Sequence, residues 1–301
     1  GKSPPEKSKE QAKRRQARLK LEKYIFELEM GVDEYHNTGA IPEVLLKLWK
    51  RRRSPKRLLR KNDTVNMVWV LEKVKQKRYQ LIDIQPGDFD TAKELFDILS
   101  VPYLIAPWEA EKMCSKLCID GLVDAVLSED TDVIAYGAPI FLTKIDTSTD
   151  TGVEIKNSEI KAELNLTQEQ LLDLCIMCGT DYNPNIFRVG AHTAYKKITA
   201  FKSIDGLKDN TTLDISVLNH VRVRELFTKF ENYSVLSIPY CGSPDYERLL
   251  EFILKYKVWY DTRKDESTNL TASHIRLQKL KNDFTLSMMV FEDDKKEEVT
   301  E

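Results

Sequence analysis

Between residues 88 and 145, segments with a helical spacing of apolar residues alternate with short apolar runs that are typical of buried strands. In the first helical segment, for example, Leu95 and Leu99 recur one turn apart. The predicted helices cover 88–100, 107–121 and 133–136, and the predicted strands cover 101–105, 122–127 and 139–145. This alternation is typical of α/β proteins, in which helices flank a mainly parallel sheet. We therefore predict an α/β fold.

The two parts of the chain carry opposite charge. Residues 1–78 contain 22 Lys and Arg against 10 Asp and Glu, whereas the remaining 223 residues contain 24 against 38. The formal net charge of −2 therefore conceals a basic arm joined to an acidic body. A basic arm is typical of a segment that binds a polyanion, and concentrated carboxylates can hold metal cations. A solvated helical arm is the alternative for the basic part.

The basic charge of the arm lies in two segments. Residues 6–30 are rich in helix formers, and Lys7 and Arg14 lie about two turns apart on the same side of the predicted helix. Residues 47–61 hold nine Lys or Arg in fifteen positions beside several leucines. One face of this second segment can be buried while the other meets phosphate; an exposed helical face and an import signal are the alternatives. The predicted phosphate contacts are Arg18, Arg51, Arg52 and Arg53.

Acidic side chains follow the predicted strands and helices at three junctions. Glu109 and Glu111 follow the strand that ends at residue 105, Asp130 and Asp132 follow the strand that ends at 127, and Asp181 follows a helix that Thr167 is expected to cap. Ligands of α/β sheets collect at such junctions, and converging carboxylates are tolerable when cations neutralise them. Oxygen donors without a His or Cys cluster favour Mg²⁺ or Mn²⁺ over zinc. Helix N-terminal charges and a capping turn are the alternative roles.

The composition excludes several classes of protein. No run approaches the roughly 20 apolar residues of a membrane helix, and the charged first segment does not resemble a signal peptide. We therefore expect a chain in an aqueous compartment with no membrane partner. The five cysteines are scattered and odd in number, which favours buried thiols in a reducing compartment.

Three segments resemble motifs of the flap endonuclease family of structure-specific 5′ nucleases. They are VPYLIAPWEAE at 101–111, SEDTD at 128–132 and LCIMCGTDY at 174–182, and they occur in the family's order. The resemblance extends from residue 1 to about 206. It implies a PIN-like 5′-nuclease fold with a helical arch and a helix-two-turn-helix module. It also implies that two Mg²⁺ ions, for which Mn²⁺ substitutes, bind Glu109, Glu111, Asp130, Asp132 and Asp181.

The resemblance assigns roles to the basic arm and to the segment after Asp181. Lys7 and Arg14 match two family residues that point from the arch to the scissile phosphate. The residues from Asn185 to His192 match a hairpin that grips duplex DNA, although Arg188 stands where the family usually has glycine. We expect strain at that position if it requires a positive φ. The implied K⁺ ligands are the carbonyls of Asn185, Ile186 and Val189, and the implied phosphate contacts are Lys196 and Lys197.

These assignments divide the chain into five predicted parts. They are the basic arch at 1–78, the α/β nuclease core at 79–178, the helix-two-turn-helix at 179–215, a helical part at 216–285 and a flexible charged tail at 286–301. The family has, before the residues that match position 1, two core strands with two further metal-binding aspartates. We therefore predict that these 301 residues alone are inactive or nearly so.

The predicted function is Mg²⁺-dependent hydrolysis of phosphodiester bonds in 5′ flaps or branched DNA during replication or repair. A 5′–3′ exonuclease of the mismatch-repair type is the nearest alternative, and a non-catalytic DNA-binding scaffold is the alternative from another class. Residues 278–284 resemble a sliding-clamp motif too faintly for that partner to be predicted. The expected location is the nucleus in a eukaryote, or the replication site of a virus.

Overall fold

The computed structural model describes residues 3–51, 65–208, 210–230, 235 and 237–298. The predicted phosphate contacts Arg52 and Arg53 lie outside these residues. The chain divides into two compact units. The first unit comprises Gly1–Ile84 and Ala106–Tyr233, and the second comprises Gln85–Ile105 and Ser234–Glu301. No helix among the described residues is both long and apolar enough to cross a lipid bilayer.

Helices make up most of both units, and a small sheet lies in the first. In chain order the elements are α1 (Ser8–Thr38), α2 (Glu43–Lys50), α3 (Met67–Tyr79), α4 (Pro86–Ile98), α5 (Ala110–Ile119), β1 (Val126–Leu127), α6 (Asp132–Tyr136), β2 (Ile140–Asp146), β3 (Thr151–Lys156), α7 (Asn157–Leu164), α8 (Gln168–Cys178), α9 (Ala191–Phe201), α10 (Ile204–Lys208), α11 (His220–Thr228), α12 (Tyr246–Lys255) and α13 (Glu266–Glu298). Two short 3₁₀ turns, Pro5–Lys7 and Ser216–Leu218, precede α1 and α11.

The sheet confirms the predicted α/β class but is mixed. β1 pairs with β2 in parallel, whereas β2 and β3 form an antiparallel pair. The predicted strand at 101–105 is wrong, since this run is irregular in the structure. Strands need a neighbour that satisfies their backbone groups, and the described residues provide none for 101–105. The prediction of a mainly parallel sheet missed β3, whose residues are largely exposed and lack an apolar pattern.

Among the described residues, three apolar clusters support the first unit, and one of them surrounds the sheet and buries Phe141. The largest is built around α8, α9 and α11 and buries Ile176, Ile198 and Phe227. A capping box fixes the start of α8, because the Thr167 hydroxyl accepts a hydrogen bond from the Gln170 N–H and the Gln170 side chain accepts one from the Thr167 N–H. This box confirms the predicted cap.

The second cluster joins α1, α2 and α3 of the basic arm. Leu28 of α1 and Leu45 of α2 are fully buried with Val70 of α3. The first half of α1 buries no residue, and burial begins at Ile25. The arm is therefore a packed helical layer in its described residues 24–51 and 65–79, where the alternative of a wholly solvated arm is wrong.

The second unit packs α4 against α12 and α13. Ile98 of α4 is buried with Leu249, Phe252 and Ile253 of α12 and with Leu277 of α13. The segment of α4, which the sequence analysis grouped with the nuclease core, belongs to the second unit in the structure, where its apolar side faces α12. Helix α13 continues to Glu298, where a flexible tail was predicted. The tail contains no Gly or Pro and is rich in residues that favour helices.

Candidate active site

Five carboxylates line one pocket of about 190 Å³, which we call the acidic pocket. They come from three places along the chain: the start of α5, the turn between β1 and α6, and the loop after α8. Two tyrosines, Tyr136 and Tyr182, complete the wall. The structure thus brings together seven residues that the sequence analysis selected, namely Glu109, Glu111, Asp130, Asp132, Asp181, Lys7 and Arg14.

The start of α5 supplies two of the carboxylates. The sequence predicted that Pro107 opens this helix, but it begins at Ala110 with Glu109 as its N-cap residue. Glu111 lies in the first turn, where a negative charge is favoured by the helix dipole. The Glu109 carboxylate does not cap the helix, and its Oε1 atom is buried without a hydrogen-bond partner in the described part of the chain. This unpaired oxygen indicates a role beyond helix capping.

The turn between β1 and α6 supplies the next two carboxylates. The Asp130 N–H donates to the Ser128 hydroxyl at 3.0 Å, and the Asp132 N–H donates to Asp130 Oδ1 at the same distance. These bonds form tight turns within the segment, whereas Thr131, the N-cap residue of α6, makes no side-chain capping hydrogen bond. This arrangement is compatible with the site, because the turn holds both carboxylates at the acidic pocket.

The loop after α8 positions Asp181. Gly179 has φ of +91°, and a Cβ there would lie 3.0 Å from the backbone nitrogen of Asn185. The Asn183 side chain donates to the Ile176 carbonyl at 2.8 Å. The hydroxyls of Tyr182 and Tyr136 lie 3.0 Å apart. These contacts fix the loop on both sides of Asp181.

Two cations of the basic arm enter the acidic pocket. Lys7 Nζ lies 3.2 Å from Glu109 Oε2 and 3.1 Å from Asp181 Oδ2. Arg14 Nη2 lies 2.8 Å and 2.9 Å from the two oxygens of Asp181. The predicted two-turn separation of Lys7 and Arg14 therefore brings both to the same carboxylate.

The close approach of these charges changes several pKa values. Burial, with smaller effects of Asp130 and Asp181, raises the pKa of Asp132 from 3.8 to about 6. Burial by itself would lower the pKa of Lys7, but the bonds to Asp181 and Glu109 raise it, so Lys7 stays protonated. Burial raises the pKa of Tyr182 to about 12. Negative charge in the pocket is therefore only partly balanced by the protein.

The donor set fits a hard divalent cation. Oxygen donors predominate, Glu109 has a buried oxygen without a hydrogen-bond partner among the described residues, and burial together with like charge raises the pKa of Asp132. As the side chains stand, no group of three or more His, Cys, Asp or Glu residues in the described ranges is arranged to hold a metal ion. Lys7 and Arg14 explain this arrangement, because they hold Glu109 and Asp181 through ion pairs. A bound cation would compete with these two side chains for the same oxygens.

The other predicted phosphate contacts lie outside the acidic pocket. Arg18 donates to the Leu81 carbonyl at 2.7 Å and pairs with Asp83 at 3.0 Å, so it links α1 to the segment after α3. Arg51 is exposed, and its guanidinium lies 5.9 Å from the centre of the Tyr24 ring. Arg18 therefore supports the arm within the protein, whereas Arg51 faces solvent.

The hairpin before α9 has the strain expected from its sequence. Arg188 has φ of +62°, a conformation that favours glycine. The Ile186 carbonyl accepts from the Val189 N–H at 3.0 Å, and the Val189 carbonyl accepts from the Asn185 side chain at 3.5 Å. Both carbonyls have a second lone pair for a cation. Of the predicted phosphate contacts on α9, Lys196 is exposed and Lys197 is partly buried.

One functional contact was not expected from the sequence. Arg222 of α11 pairs with Glu6 at 2.8 Å, which anchors the 3₁₀ turn that carries Lys7. Its hydrogen bond with Arg222 lowers the pKa of Glu6. No local pattern reveals a pair 216 residues apart, so only the fold identifies it.

Comparison with known proteins agrees with this geometry. The XPG I-region family model matches residues 100–181, which contain all five carboxylates. The probable RAD2-like endonuclease 076L of Invertebrate iridescent virus 3 is 36% identical over 255 residues, covering 75% of this chain and 66% of the relative. The chain belongs to the flap endonuclease family.

Further similarities extend to eukaryotes and to solved structures. Flap endonuclease 1 of Cryptosporidium parvum (strain Iowa II) is 29% identical over 247 residues, covering 75% of this chain and 50% of the relative. The catalytic core of Rad2 in complex with DNA substrate has the same fold, with a TM-score of 0.54, 20% identity, and coverage of 65% of this chain and 71% of that one. This fold confirms the predicted PIN-like class with a helical arch. The chain spans between half and two thirds of the length of these two curated relatives.

Proposed function

We propose that this chain carries the catalytic site of a structure-specific 5′ nuclease that hydrolyses phosphodiester bonds in 5′ flaps or branched DNA. The observation that carries the proposal is the acidic pocket, where five carboxylates from three junctions meet two cations of a basic arm. Carboxylates hold divalent cations and the arm attracts a polyanion, so the two features together match phosphodiester hydrolysis.

Within this function, the five carboxylates are the residues that would hold Mg²⁺, with Mn²⁺ as a substitute. Two such ions, when bound, activate the attacking water and stabilise the leaving oxygen. Asp130 and Asp132 present their side chains from a turn whose backbone is already hydrogen-bonded, which lowers the entropy lost on binding. Asp181 is held in place by the fixed loop after α8.

Lys7 and Arg14 act on the phosphate in this proposal. Both side chains lie at the acidic pocket, and the raised pKa of Lys7 keeps it cationic at neutral pH. If Glu109 and Asp181 held a metal ion, Lys7 and Arg14 would be free of these ion pairs and could reach the scissile phosphate. There they would neutralise charge that develops during cleavage.

Duplex DNA would be held at the hairpin and at the start of α9. Lys196 and Lys197 lie on the helix that follows the hairpin, and the second lone pairs of the Ile186 and Val189 carbonyls can accept K⁺, with the Asn185 carbonyl as a third ligand. Exposed Arg51 would contact the backbone elsewhere. Such contacts recognise the shape of the DNA backbone and do not depend on the base sequence.

Relatives of this chain occur in eukaryotes and in viruses of invertebrates. We infer that the protein acts in DNA repair or replication, in the nucleus of a eukaryote or at the replication site of a virus. Neither a sliding clamp nor a membrane is part of this proposal.

Metal binding and cleavage test the proposal separately. Isothermal titration of the chain with Mn²⁺ should show binding that is lost in Asp130→Asn and Asp181→Asn. Asp90→Asn is the matched control, because the Asp90 side chain is 76% exposed and lies outside the acidic pocket. Cleavage of a labelled 5′-flap duplex is measured with and without Mg²⁺. Blunt and nicked duplexes serve as substrate controls.

Each outcome separates the candidate functions. We expect Mg²⁺-dependent flap cleavage that is lost in Asp130→Asn and Asp181→Asn. Cleavage of single nucleotides from blunt or nicked 5′ ends would identify the exonuclease alternative. DNA binding without metal binding would support the scaffold and overturn the proposal.

A further inference from the structure

Helix α1 has apolar side chains on two opposite sides, and only one of these sides is buried within the chain. Leu28 and Tyr35 pack in the cluster that α1 forms with α2 and α3. On the other side, Leu19 is 58% exposed, Phe26 63% and Met30 55%. A single exposed apolar residue is ordinary on a protein surface, whereas three large ones along one face of a helix indicate an interaction surface.

The exposed face has the spacing of a coiled-coil seam. Positions 12, 16, 19, 23, 26, 30, 33 and 37 follow one another in alternating steps of four and three residues, and all eight side chains are exposed. This spacing averages about 3.5 residues per turn, so the eight side chains form one stripe along the helix. We call this stripe the α1 seam; its residues are Ala12, Gln16, Leu19, Lys23, Phe26, Met30, Asp33 and Asn37.

The charges beside the seam change sign along the helix. On one edge, Lys20 flanks the first half of the seam and Glu27 flanks the second half. Both side chains are exposed, and neither forms an ion pair with another described residue. A second copy of α1 that runs antiparallel to the first places Lys20 of each copy beside Glu27 of the other, because the two copies are related by a twofold axis. In the same register, Leu19 lies opposite Met30 and Lys23 lies opposite Phe26.

The other edge does not oppose this pairing. There Glu22 of one copy approaches Glu29 of the other, but both are already neutralised within the chain. Glu22 pairs with Arg18 at 3.3 Å and Glu29 pairs with Arg78 at 3.7 Å. The exposed pair of Lys20 and Glu27 therefore decides the electrostatic preference.

A parallel arrangement of two α1 helices is unfavourable. It brings the two edges of the seam together, since each residue of one edge then approaches the residue five positions later in the other copy. Every such pair between residues 15 and 34 has like charge, which disfavours association. The pairs are Arg15 with Lys20, Glu22 with Glu27, and Glu29 with Glu34.

We propose that the α1 seam is a docking surface for a second copy of this chain, and that the two α1 helices pair in antiparallel orientation along it. Leu19 and Met30 of opposite copies bury each other, and Phe26 covers the aliphatic stem of Lys23. The polar seam residue Gln16 lowers the stability of such a pair and fixes its register, so the dimer is reversible. The pairing goes beyond the proposed nuclease function, because Arg14 enters the acidic pocket from another side of α1.

The first test measures the molar mass of the chain by sedimentation equilibrium over a range of concentrations, in EDTA and without DNA. We expect the mass to rise from that of one chain towards that of two. Phe26→Ser should raise the dissociation constant of the dimer roughly tenfold or more, since it removes two buried rings from the interface. Val68→Ser is the matched control, because Val68 is 70% exposed but lies outside the seam.

The second test exchanges charges across the pair. Lys20→Glu and Glu27→Lys should each weaken self-association roughly tenfold, because each variant places like charges at both contacts of this edge. An equimolar mixture of the two variants should dimerise at least as well as the unchanged chain, since every contact of the mixed pair then joins opposite charges. This recovery also shows that both variants are folded.

Each outcome decides the proposal. A mass of one chain at every concentration overturns it, as does a dimer that Phe26→Ser leaves unchanged or a mixture without recovery. If Glu27→Lys strengthens self-association, the helices pair in parallel and the antiparallel proposal is wrong. Metal binding by Asp130 and Asp181 is measured separately, so the nuclease function stands or fails independently of the dimer.

Discussion

Carboxylates from separate helices meet at two places in the first unit, and the two places differ in how their charge is balanced. In one, which we call the Arg224 network, Arg224 pairs with both oxygens of Asp173 at 2.6 Å and 2.7 Å and with Asp205 at 2.6 Å. His220 adds a contact of 2.8 Å to Asp205. Asp173 is almost fully buried and also accepts the Ile204 N–H.

The acidic pocket lacks such balance. Five carboxylates line it, and the cations that enter it come from the first turns of the chain. In the Arg224 network, anions and cations come from the three helices α8, α10 and α11, which pack directly on one another. Removal of one partner from a buried ion pair destabilises a fold because the other charge is left unpaired, whereas an excess of charge of one sign is typical of a ligand site. Four substitutions test this distinction.

The largest effect should come from Lys7. Lys7→Ala should lower kcat for flap cleavage by about 10²–10³-fold with little change in KM, because a preorganised cation at developing charge has an effect of that size. Lys13→Ala is the matched control, since Lys13 lies at the start of α1, shortly after the turn that carries Lys7, but 72% of its side chain is exposed. Equal losses in the two variants would indicate that the arm only attracts DNA.

Asp173 should have the largest effect on stability. Asp173→Asn leaves Arg224 without its buried anion, so we expect the free energy of unfolding to fall by roughly 3 kcal/mol. Urea denaturation monitored by circular dichroism measures the change. Asp181→Asn in the metal-free protein should change stability much less. A comparable fall in the free energy of unfolding in both variants would contradict the proposed difference between the Arg224 network and the acidic pocket.

Replacement of Asp132 should increase the stability of the protein, whereas replacement of Asp173 should decrease it. In the metal-free protein the pKa of Asp132 is about 6, against 3.8 in the unfolded chain. The protonated side chain therefore favours the folded state fully below about pH 4, and this contribution to stability is lost as the pH rises through 6. Asp132→Asn should remove this pH dependence and raise the free energy of unfolding at pH 7.5 by roughly 1 kcal/mol. Thermal unfolding in EDTA across pH 4–7.5 measures it. A less stable variant would show that Asp132 has a structural partner.

Asp205 should have the smallest effect. Hydrogen bonds from His220 and Arg224 lower its pKa from 3.8 to about 2, so its contribution is present above pH 4 and lost as the pH falls towards 2. Asp205→Asn should reduce the loss of the free energy of unfolding between pH 4 and pH 2. The change should stay small, since 59% of the Asp205 side chain is exposed. An unchanged loss in this pH range would limit the network to Asp173 and Arg224.

The site was more predictable from the sequence than the fold around it. Asp130 and Asp132 lie in one short turn, and Glu109 and Glu111 in one helix start, so local patterns revealed them. Long-range features left no such signal: Arg222 reaches Glu6 across 216 positions. The run at 101–105 has the composition of a strand, but a strand forms only where a neighbour pairs with it.

The contact between Glu6 and Arg222 also sets an order of assembly. Synthesis proceeds from the N-terminus, so the turn that carries Lys7 leaves the ribosome long before helix α11 does. Until α11 has folded, that turn lacks its ion pair with Arg222, and the position of Lys7 depends on its ion pairs with Glu109 and Asp181. The set of contacts that holds Lys7 at the acidic pocket is therefore completed late in synthesis.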